Sequence, residues 1–452
     1  MKFYDRKREI EFFKKMLEKR DRKRMIVLYG RRRVGKTTLL KYIFKRARYF
    51  FVDTRNSKTL LKDFSRQLLN ASFVNWEEFF KYLLAKEDIV IFDEFQKFLR
   101  VDPSVLSILQ KVWDEIDSNV FLVLSGSYSG MMKKIFLDTK SPLFGRADYL
   151  MNLRPFDFLS VCKMLGDFGY SFEETILWYT ILGGVPRYLW YLEIKQAVKD
   201  KLWELFFEDF ASLKDEGKNL LIMEFGGEHV GYFSILEAIG NFDRELSEIA
   251  DRTGMERTTV MKYIHELVNN YEILEKVRNF LSKRKRGVRY RIKDNFLRFW
   301  YRFVYSQMEE IEFNSEHALN KTLSNLSEHV GLGFEDIVKE LLPLLARKGI
   351  IPTPEKVGKH WGRVPDKKGE SYEIDIVAEC EENLLLVECK WTSKPLTQRD
   401  VEELIKKGNY LKDNRKKLYM MVSKSGFRGV ENKRENLILL GLKELEKLVA
   451  EG

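Results

Sequence analysis

Two sets of residues in this sequence have the types and spacing to do chemistry. The first runs from Gly30 to Thr37, GRRRVGKT, with the spacing G-x-x-x-x-G-K-[ST]. Gly30 and Gly35 let backbone N–H groups turn inward around phosphate oxygens without a side chain in the way, and the dipole of the following helix adds positive potential. Lys36 is placed to bridge β- and γ-phosphate oxygens, and Thr37, followed by Thr38, to hold Mg2+. Arg31, Arg32, Arg33 and Val34 fill the variable positions of the cradle; the arginine side chains are expected to meet solvent, a second subunit or a polyanion. Downstream, IVIFDEFQ delivers Asp93 and Glu94 to the carboxyl edge of a sheet, where open α/β folds bind ligands. Asp93 is expected to hold Mg2+ through water, and Glu94 to orient or deprotonate the attacking water. The plain reading of that pair is helix capping. FLVLSGSYSG ends at Ser125 and Ser127, which either touch the γ-phosphate or cap the next helix.

The second set lies near the C-terminus. Side chains alternate along a strand, so Glu373 and Asp375 share one face of SYEIDIVAE, and Glu388 and Lys390 share one face of NLLLVECKW. On the preceding helix Glu335 and Lys339 are one turn apart, and Glu335 is expected to project toward the same wall. Three hard oxygen donors, Glu335, Asp375 and Glu388, suit Mg2+, while the Lys390 ammonium would orient a water or stabilise negative charge at phosphorus. The alternative is a cross-strand ion pair on a solvated hairpin. Against it stand the apolar neighbours within VECKW, where unpaired charge is costly. Gln398, opening the next helix, is a further candidate substrate contact.

A third pattern binds rather than reacts. LSEIADRTGMERTTVMKYIHELVNN places Leu246, Ile249, Ala250, Met255, Val260, Ile264 and Leu267 as one apolar stripe per helix, with Gly254 at the tight turn. The second helix then exposes Arg257, Thr258 and Lys262. In a winged helix that face enters a major groove of DNA, while Lys283, Arg284, Lys285, Arg286, Arg289 and Arg291 lie along phosphates. The other reading is a rigid packing or subunit-contact block.

These residues need elements to position them. The apolar runs MIVLYG (25–30), YFFVD (49–53), IVIFDE (89–94) and VFLVLSG (120–126) alternate with helices, one from Lys36 and one through LLKDFSRQLL. Continuous runs of this kind are strands buried on both faces, hence a parallel sheet covered by helices. From Phe156 to Phe225 strand signals stop and aromatic-rich amphipathic helix predicts a lid. The expected organisation is an α/β multidomain chain: a parallel-sheet core with the phosphate loop (1–155), helical lid (156–225), winged helix-turn-helix (226–305), polar linker helix (306–330) and a separate α/β domain (331–452). Within the last, a helix precedes the hairpin turning at Glu381-Glu382-Asn383, and helix, strand and helix follow.

Composition narrows the class. At 452 residues the chain holds about three domains of roughly 150 residues each. With 44% hydrophobic and 33% charged residues, an integral membrane chain and a disordered one are both excluded. The net charge of +11 draws polyanions, nucleic acid first and an anionic membrane surface second; a charge-rich thermophile surface is the plain alternative. No apolar run is long enough to span a bilayer, and MKFYDRKREIEFF lacks the apolar region of a signal peptide. Cys162, Cys380 and Cys389 have no C-x-x-C spacing, which predicts a reducing, cytoplasmic location. The histidines form no H-E-x-x-H or H-x-H pattern, and no G-x-S-x-G occurs.

FYDRKREIEFF, GRRRVGKT, IVIFDEFQ, LVLSGSYSG, PLFGRA (142–147) and GGVPRYL (183–189), in that order, resemble the archaeal ATPase family of P-loop proteins within the broader AAA+ and STAND group. The resemblance spans the first half of the chain and implies a P-loop ATPase core that binds and hydrolyses ATP with Mg2+. It implies base-proximal roles for Asp5, Arg6 and Pro186, and a catalytic, γ-phosphate-sensing role for Arg146, with a surface pair to Asp148 as the alternative. Arg187 is the second candidate for that charge-neutralising work. YRIKDNFLRFWYRFVY resembles the segment that joins the ATPase to its C-terminal domain in one branch of the family. Glu335, Asp375 and Glu388-Cys389-Lys390 resemble the PD-(D/E)xK nuclease superfamily, with Ile374 where a Pro usually precedes the Asp. That likeness covers the C-terminal domain and implies a restriction-endonuclease-like fold. The expected function is a cytoplasmic ATPase whose nucleotide state controls a DNA-binding, DNA-cleaving C-terminal domain, acting alone, as a homo-oligomer or with a protein partner. The rival is an ATP-dependent switch that binds DNA or protein through a catalytically inactive nuclease-like scaffold, and a third reading is a defence or toxin-like module.

Overall fold

The computed structural model describes residues 3–19, 21–68, 72–127, 129–225, 229–240, 242–281, 287–365, 367, 369–431 and 434–451. The chain divides into two compact units, one of residues 1–156, 185–187 and 270–272, the other of residues 157–184, 188–269 and 273–452.

In the first unit, strands β1 (Arg24–Tyr29), β2 (Arg48–Phe51), β3 (Ile89–Asp93), β4 (Phe121–Gly126) and β5 (Tyr149–Asn152) form one sheet in the order β2-β3-β4-β1-β5. Every neighbouring pair is parallel. Alternation explains why β1 is apolar throughout: Met25, Val27 and Tyr29 enter one core while Ile26 and Leu28 enter another on the opposite face. The first core is unusually aromatic, with Phe50 stacked on Phe92 at 5.1 Å and Trp76 edge-on to Phe98 at 5.3 Å. β5 had no counterpart in the sequence pattern. It is four residues long on the sheet edge, with Tyr149 and Leu150 exposed, so it lacks the continuous apolar run of a central strand.

The second unit begins with helices Phe158–Asp167 and Phe172–Leu182, the latter opened by a Ser171–Glu174 capping box. Helices His229–Ile239, Leu246–Thr253 and Arg257–Asn269 pack with an antiparallel three-stranded sheet, ordered β6-β8-β7, whose β6 (Arg244–Glu245) lies between the first two helices and whose β7 (Leu274–Val277) and β8 (Arg289–Ile292) follow the third. The stripe read from the sequence buries Ile249, Ala250, Val260, Ile264 and Leu267, and Gly254 takes the left-handed φ of 66° at the turn.

The helical span Met308–Arg347, two helices joined at a kink, runs unbroken through the position expected to separate a linker from the last domain. Its break is earlier, at Asn314 (φ −155°, ψ 79°). Beyond that point Leu326, Val330, Phe334, Ile337, Leu341 and Leu345 keep one buried stripe at helical spacing, so nothing ends the helix at 331. Gly333 lets it approach helix Phe172–Leu182 closely, since a Cβ there would lie 2.4 Å from Thr180 Cγ2. The final sheet has the order β13-β12-β11-β10-β9, from β9 (Lys356–Arg363), β10 (Ser371–Cys380), β11 (Asn383–Lys390), β12 (Lys416–Ser423) and β13 (Leu437–Gly441). β9, β10 and β11 are antiparallel, whereas β11, β12 and β13 are parallel, with helix Gln398–Asn409 between β11 and β12. β9 and β13 are the two edges and went unread: β9 is KVGKHWGR, without apolar alternation, and β13 is only five residues long.

The loop after β1 depends on the backbone of β5. A Cβ at Gly30 would lie 2.3 Å from the Leu153 carbonyl oxygen, and its φ is +154°. Gly30→Ala should therefore destabilise the first unit by about 1–3 kcal/mol. Chemical denaturation of the full chain checks this, and an unshifted transition of the first unit would contradict it.

Candidate nucleotide site and C-terminal carboxylate wall

Gly35 (φ 93°) and Arg33 (φ 69°) are both left-handed, which curls the loop ahead of helix Lys36–Ile43. No side chain caps that helix, so its first N–H groups remain directed at the loop. Lys36 is only 5% exposed, and its ammonium donates to the Gly30 carbonyl at 2.8 Å and the Arg31 carbonyl at 3.0 Å. Thr37 Oγ1 donates to Asp93 Oδ2 at 2.6 Å, bringing the loop and the end of β3 together. Tyr49 Oη donates to the same oxygen at 2.7 Å, and the Glu94 N–H donates to Asp93 Oδ1 at 3.0 Å. Burial first, and then the Asp93 carboxylate, push the Tyr49 phenol up, so it stays protonated and donating. Thr37 Oγ1 and Asp93 Oδ2 are hard oxygens of the kind Mg2+ prefers, and this pair fits such an ion.

Glu94 is held in the left-handed region at φ 59°. Ser127 Oγ donates to its Oε1 at 2.5 Å, and Gln96 Nε2 donates to its Oε2 at 2.8 Å. Ser127 thus meets the expected water-activating carboxylate, while Ser125 is fully buried. Arg6 is buried and donates to the Val34 carbonyl at 3.1 Å and the Arg154 carbonyl at 2.7 Å, bracing the loop from the N-terminal segment. Asp5 lies 4.0 Å from the same guanidinium. Pro186 and Arg187 cluster with the first unit. The alternative pairing of Arg146 with Asp148 is corrected. Arg146 grips Asp114, with Nε at 3.1 Å and Nη2 at 2.9 Å, whereas Asp148 pairs with Arg22 at 3.1 Å.

In the second unit, β10 and β11 bring Asp375, Glu388 and Lys390 onto one wall. Glu388 is 4% exposed, and its Oε1 accepts from Lys390 at 2.6 Å and from Lys407 at 2.8 Å. Among the described residues no donor reaches Glu388 Oε2. Asp375 Oδ2 accepts the Cys389 N–H at 2.8 Å. Burial first, then Glu335 and Glu388, push the Asp375 carboxyl well above the usual range, against the pull of Lys390. Glu335 is also raised by burial and is held by Lys359 at 3.0 Å; Lys359 in turn binds Glu373 at 2.7 Å. Lys407 and Lys359 were missed, the first because it sits a helix away, the second because β9 was not recognised.

The expected shared metal position for Glu335, Asp375 and Glu388 is corrected: among the described residues no three His, Cys, Asp or Glu side chains converge to hold an ion. Ammonium groups stand at two of the carboxylates instead, and this donor set does not fit Mg2+ as it stands. Asp375 opens to two cavities, one of 920 Å3 shared with Glu335 and Lys359, the other of 640 Å3 shared with Glu388, Lys390 and Lys407. Gln398 faces Glu402, at 3.4 Å.

On helix Arg257–Asn269, Arg257, Thr258 and Lys262 are exposed together. Arg289, expected along phosphates, is engaged otherwise: it binds Glu373 at 3.0 Å and lies over the Trp361 ring at 4.2 Å. Arg291 pairs with Glu275 at 2.5 Å and Asp336 at 2.9 Å. Lys283, Arg284, Lys285 and Arg286 lie outside the described residues. Among the described residues no helix is long and apolar enough to cross a membrane.

Known proteins resemble this chain in several respects. Residues 3–192 match an ATPase domain predominantly from Archaea, residues 232–270 an IclR helix-turn-helix domain, and residues 300–404 a family of archaeal and bacterial proteins of unknown function. An uncharacterized protein of Methanocaldococcus jannaschii is 31% identical over 422 residues, covering 89% of this chain and 90% of that one. Among solved structures, the Walker-type ATPase of Pyrococcus abyssi aligns at 18% identity with TM-score 0.49, covering 66% of this chain and 96% of that one. The ORC2 protein of Aeropyrum pernix, in ADPNP–ADP complexes, aligns at 15% identity with TM-score 0.46, covering 71% and 96%.

The raised Asp375 carboxyl has a consequence for stability. Its folded pKa exceeds the ordinary carboxylate value near 4, so its favourable contribution is present below that value and is lost as pH rises toward the folded pKa. At neutral pH this shift opposes folding, because the unfolded carboxyl ionises freely whereas the buried one is disfavoured as a charge beside Glu335 and Glu388. Asp375→Asn should raise the melting temperature of the full chain near pH 7, with the gap closing toward pH 4. A melting temperature equal to or below wild type near pH 7 would contradict the assignment.

Proposed function

The chain belongs to one family with the M. jannaschii protein and carries an ATPase domain of predominantly archaeal distribution, and from that premise we propose that it is an ATP-hydrolysing switch that binds DNA. The observation that carries the reading is the hydrogen bond from Thr37 to Asp93, which joins the phosphate loop to the acidic end of β3. Lys36 now rests on two neutral carbonyls, a contact it can exchange for the β- and γ-phosphate oxygens at little cost. Glu94, fixed by Ser127 and Gln96, orients a water for in-line attack on the γ-phosphate and accepts its proton as ADP leaves. Mg2+ held by Thr37 and Asp93 would neutralise charge on the β- and γ-oxygens. Asp5, Arg6 and Pro186 lie toward the base in this proposal. Arg146 acts on the γ-phosphate only by giving up Asp114.

Arg257, Thr258 and Lys262, exposed on the second helix of the helix-turn-helix, support insertion of that helix into a major groove. The C-terminal topology, a helix, an antiparallel β9-β10-β11 meander, a crossover helix and parallel β12, supports a restriction-endonuclease-like fold, taken here as a DNA-binding scaffold. A second reading, phosphodiester cleavage at this wall, is favoured by the buried Glu388 Oε2, unpartnered among the described residues, beside the raised Asp375.

Lys36→Ala should abolish tight ATP binding, whereas Glu94→Gln should keep binding and lower turnover by about 10²-fold or more. Calorimetry and phosphate release check both, and unchanged ATP affinity in Lys36→Ala would remove the nucleotide-site assignment. Lys262→Glu should weaken duplex binding and flatten its salt dependence by roughly one ion. Plasmid incubated with Mg2+ or Mn2+ separates scaffold from nuclease: cleavage by wild type that is lost in the Asp375→Ala/Lys390→Ala protein favours the second reading.

A further inference from the structure

Beside the carboxylate wall the second unit holds another cavity, of 1180 Å3, with aromatic walls. Phe280, His360, Tyr372 and Tyr410 line it. The Tyr372 and Tyr410 rings lie 5.0 Å apart at 58°, and the His360 and Tyr372 rings 5.8 Å apart at 45°. Phe280 and Tyr372 pack on the C-terminal apolar core and stay partly open on the other side, and Tyr410 is half-buried. Burial holds the His360 imidazole down to about 4, so it is neutral near pH 7 and adds no charge among the rings. At the rim Arg415 is committed to Asp413 at 2.7 Å and Glu379 at 3.2 Å, while Lys412 and Lys416 are exposed, with the exposed Glu382 beside them.

This cavity shares two side chains with the wall already described. Tyr372 and Tyr410 also line the 640 Å3 cavity containing Asp375, Glu388 and Lys390. A chain of phosphates passing Lys390 and Lys407 therefore reaches aromatic faces next, with Lys412 and Lys416 beyond them.

We propose that the cavity takes an unstacked base of single-stranded DNA, its ring against Tyr410 and Tyr372 and the adjoining phosphates at Lys412 and Lys416. The inference deepens the DNA-binding reading above and rests on it. A base in duplex already has both faces stacked on its neighbours and cannot enter, whereas a base in a single strand gains most of a stacking contact, with little regard to sequence. The two lysines supply charge that an apolar peptide would leave unused.

The experiment uses the full chain with a labelled single-stranded oligonucleotide and a duplex of the same sequence, read by fluorescence anisotropy. Tyr410→Ala should lose about ten-fold in single-strand affinity, and Tyr410→Phe, which keeps the ring, about two-fold at most. Both should bind duplex as wild type does, through the helix-turn-helix, which also reports that they are folded. A Tyr410→Ala protein with undiminished single-strand affinity overturns the base site and leaves the DNA reading standing, as does an equal loss on single strand and duplex. Wild type that binds neither form overturns both.

Discussion

Charge removed from water must be met by hydrogen bonds or by opposite charge, and the functional side chains of this protein are placed by how that is done. Asp93 sits 2% exposed at the end of β3. Its donors come from three different segments: Thr37 from the phosphate-loop helix, Tyr49 from β2, and the Glu94 N–H from the turn beyond. Satisfying one carboxylate therefore fixes the helix, the neighbouring strand and the turn together. The left-handed backbone of Glu94 follows from the same turn, and it aims the next carboxylate at Ser127 and Gln96.

The second unit solves the same problem with full charges. Asp336 on the long helix receives Arg291 from β8 and Arg298 from helix Asn295–Phe299, each at 2.9 Å, and despite its burial these cations hold its carboxyl down to about 2. From β8 as well, Arg289 reaches Glu373 on β10, and Lys359 on β9 joins Glu373 to Glu335. These pairs tie the wing to the C-terminal sheet, and where both partners are well shielded, as Lys359 and Glu335 are, loss of one member leaves a largely buried charge behind. The wing arginines that looked like a phosphate-binding row are in fact partly internal ties.

How much of this was legible in the sequence follows from range. Central strands announce themselves because both faces are buried, so β1, β3 and β4 appear as apolar runs, the edge strand β2 shows through its aromatic run Tyr49-Phe50-Phe51, and the phosphate loop is a local pattern whose function is set by eight consecutive residues. The helix-turn-helix stripe is equally local. Edge strands are buried on fewer sides and need less apolar content, which hid β5 and β9, while the edge strand β13, LILLG, is apolar but only five residues long and runs straight into a helix. Tyr49, Lys359 and Lys407 act only through tertiary partners 44, 24 and 19 positions away, and nothing in their neighbours' identities names those partners. The same limit applied to Arg289 and Arg146: a sequence shows a positive charge, but whether it faces solvent, a ligand or an aspartate is decided by folding.

The two sites differ in what a ligand must displace. At the phosphate loop Lys36 donates to two carbonyls and Asp93 accepts from two hydroxyls, hydrogen bonds that an incoming triphosphate with its cation would replace with stronger, charge-assisted ones. On the C-terminal wall Glu388 already holds two ammonium groups and Glu335 a third. A divalent cation arriving there must push lysines aside against their attraction to buried carboxylates, and those lysines would then need anions of their own. A nucleic-acid backbone provides such anions. The wall therefore favours phosphate over a bare metal ion as the first arrival, and any ion at Asp375 would have to follow the strand that draws Lys390 and Lys407 away.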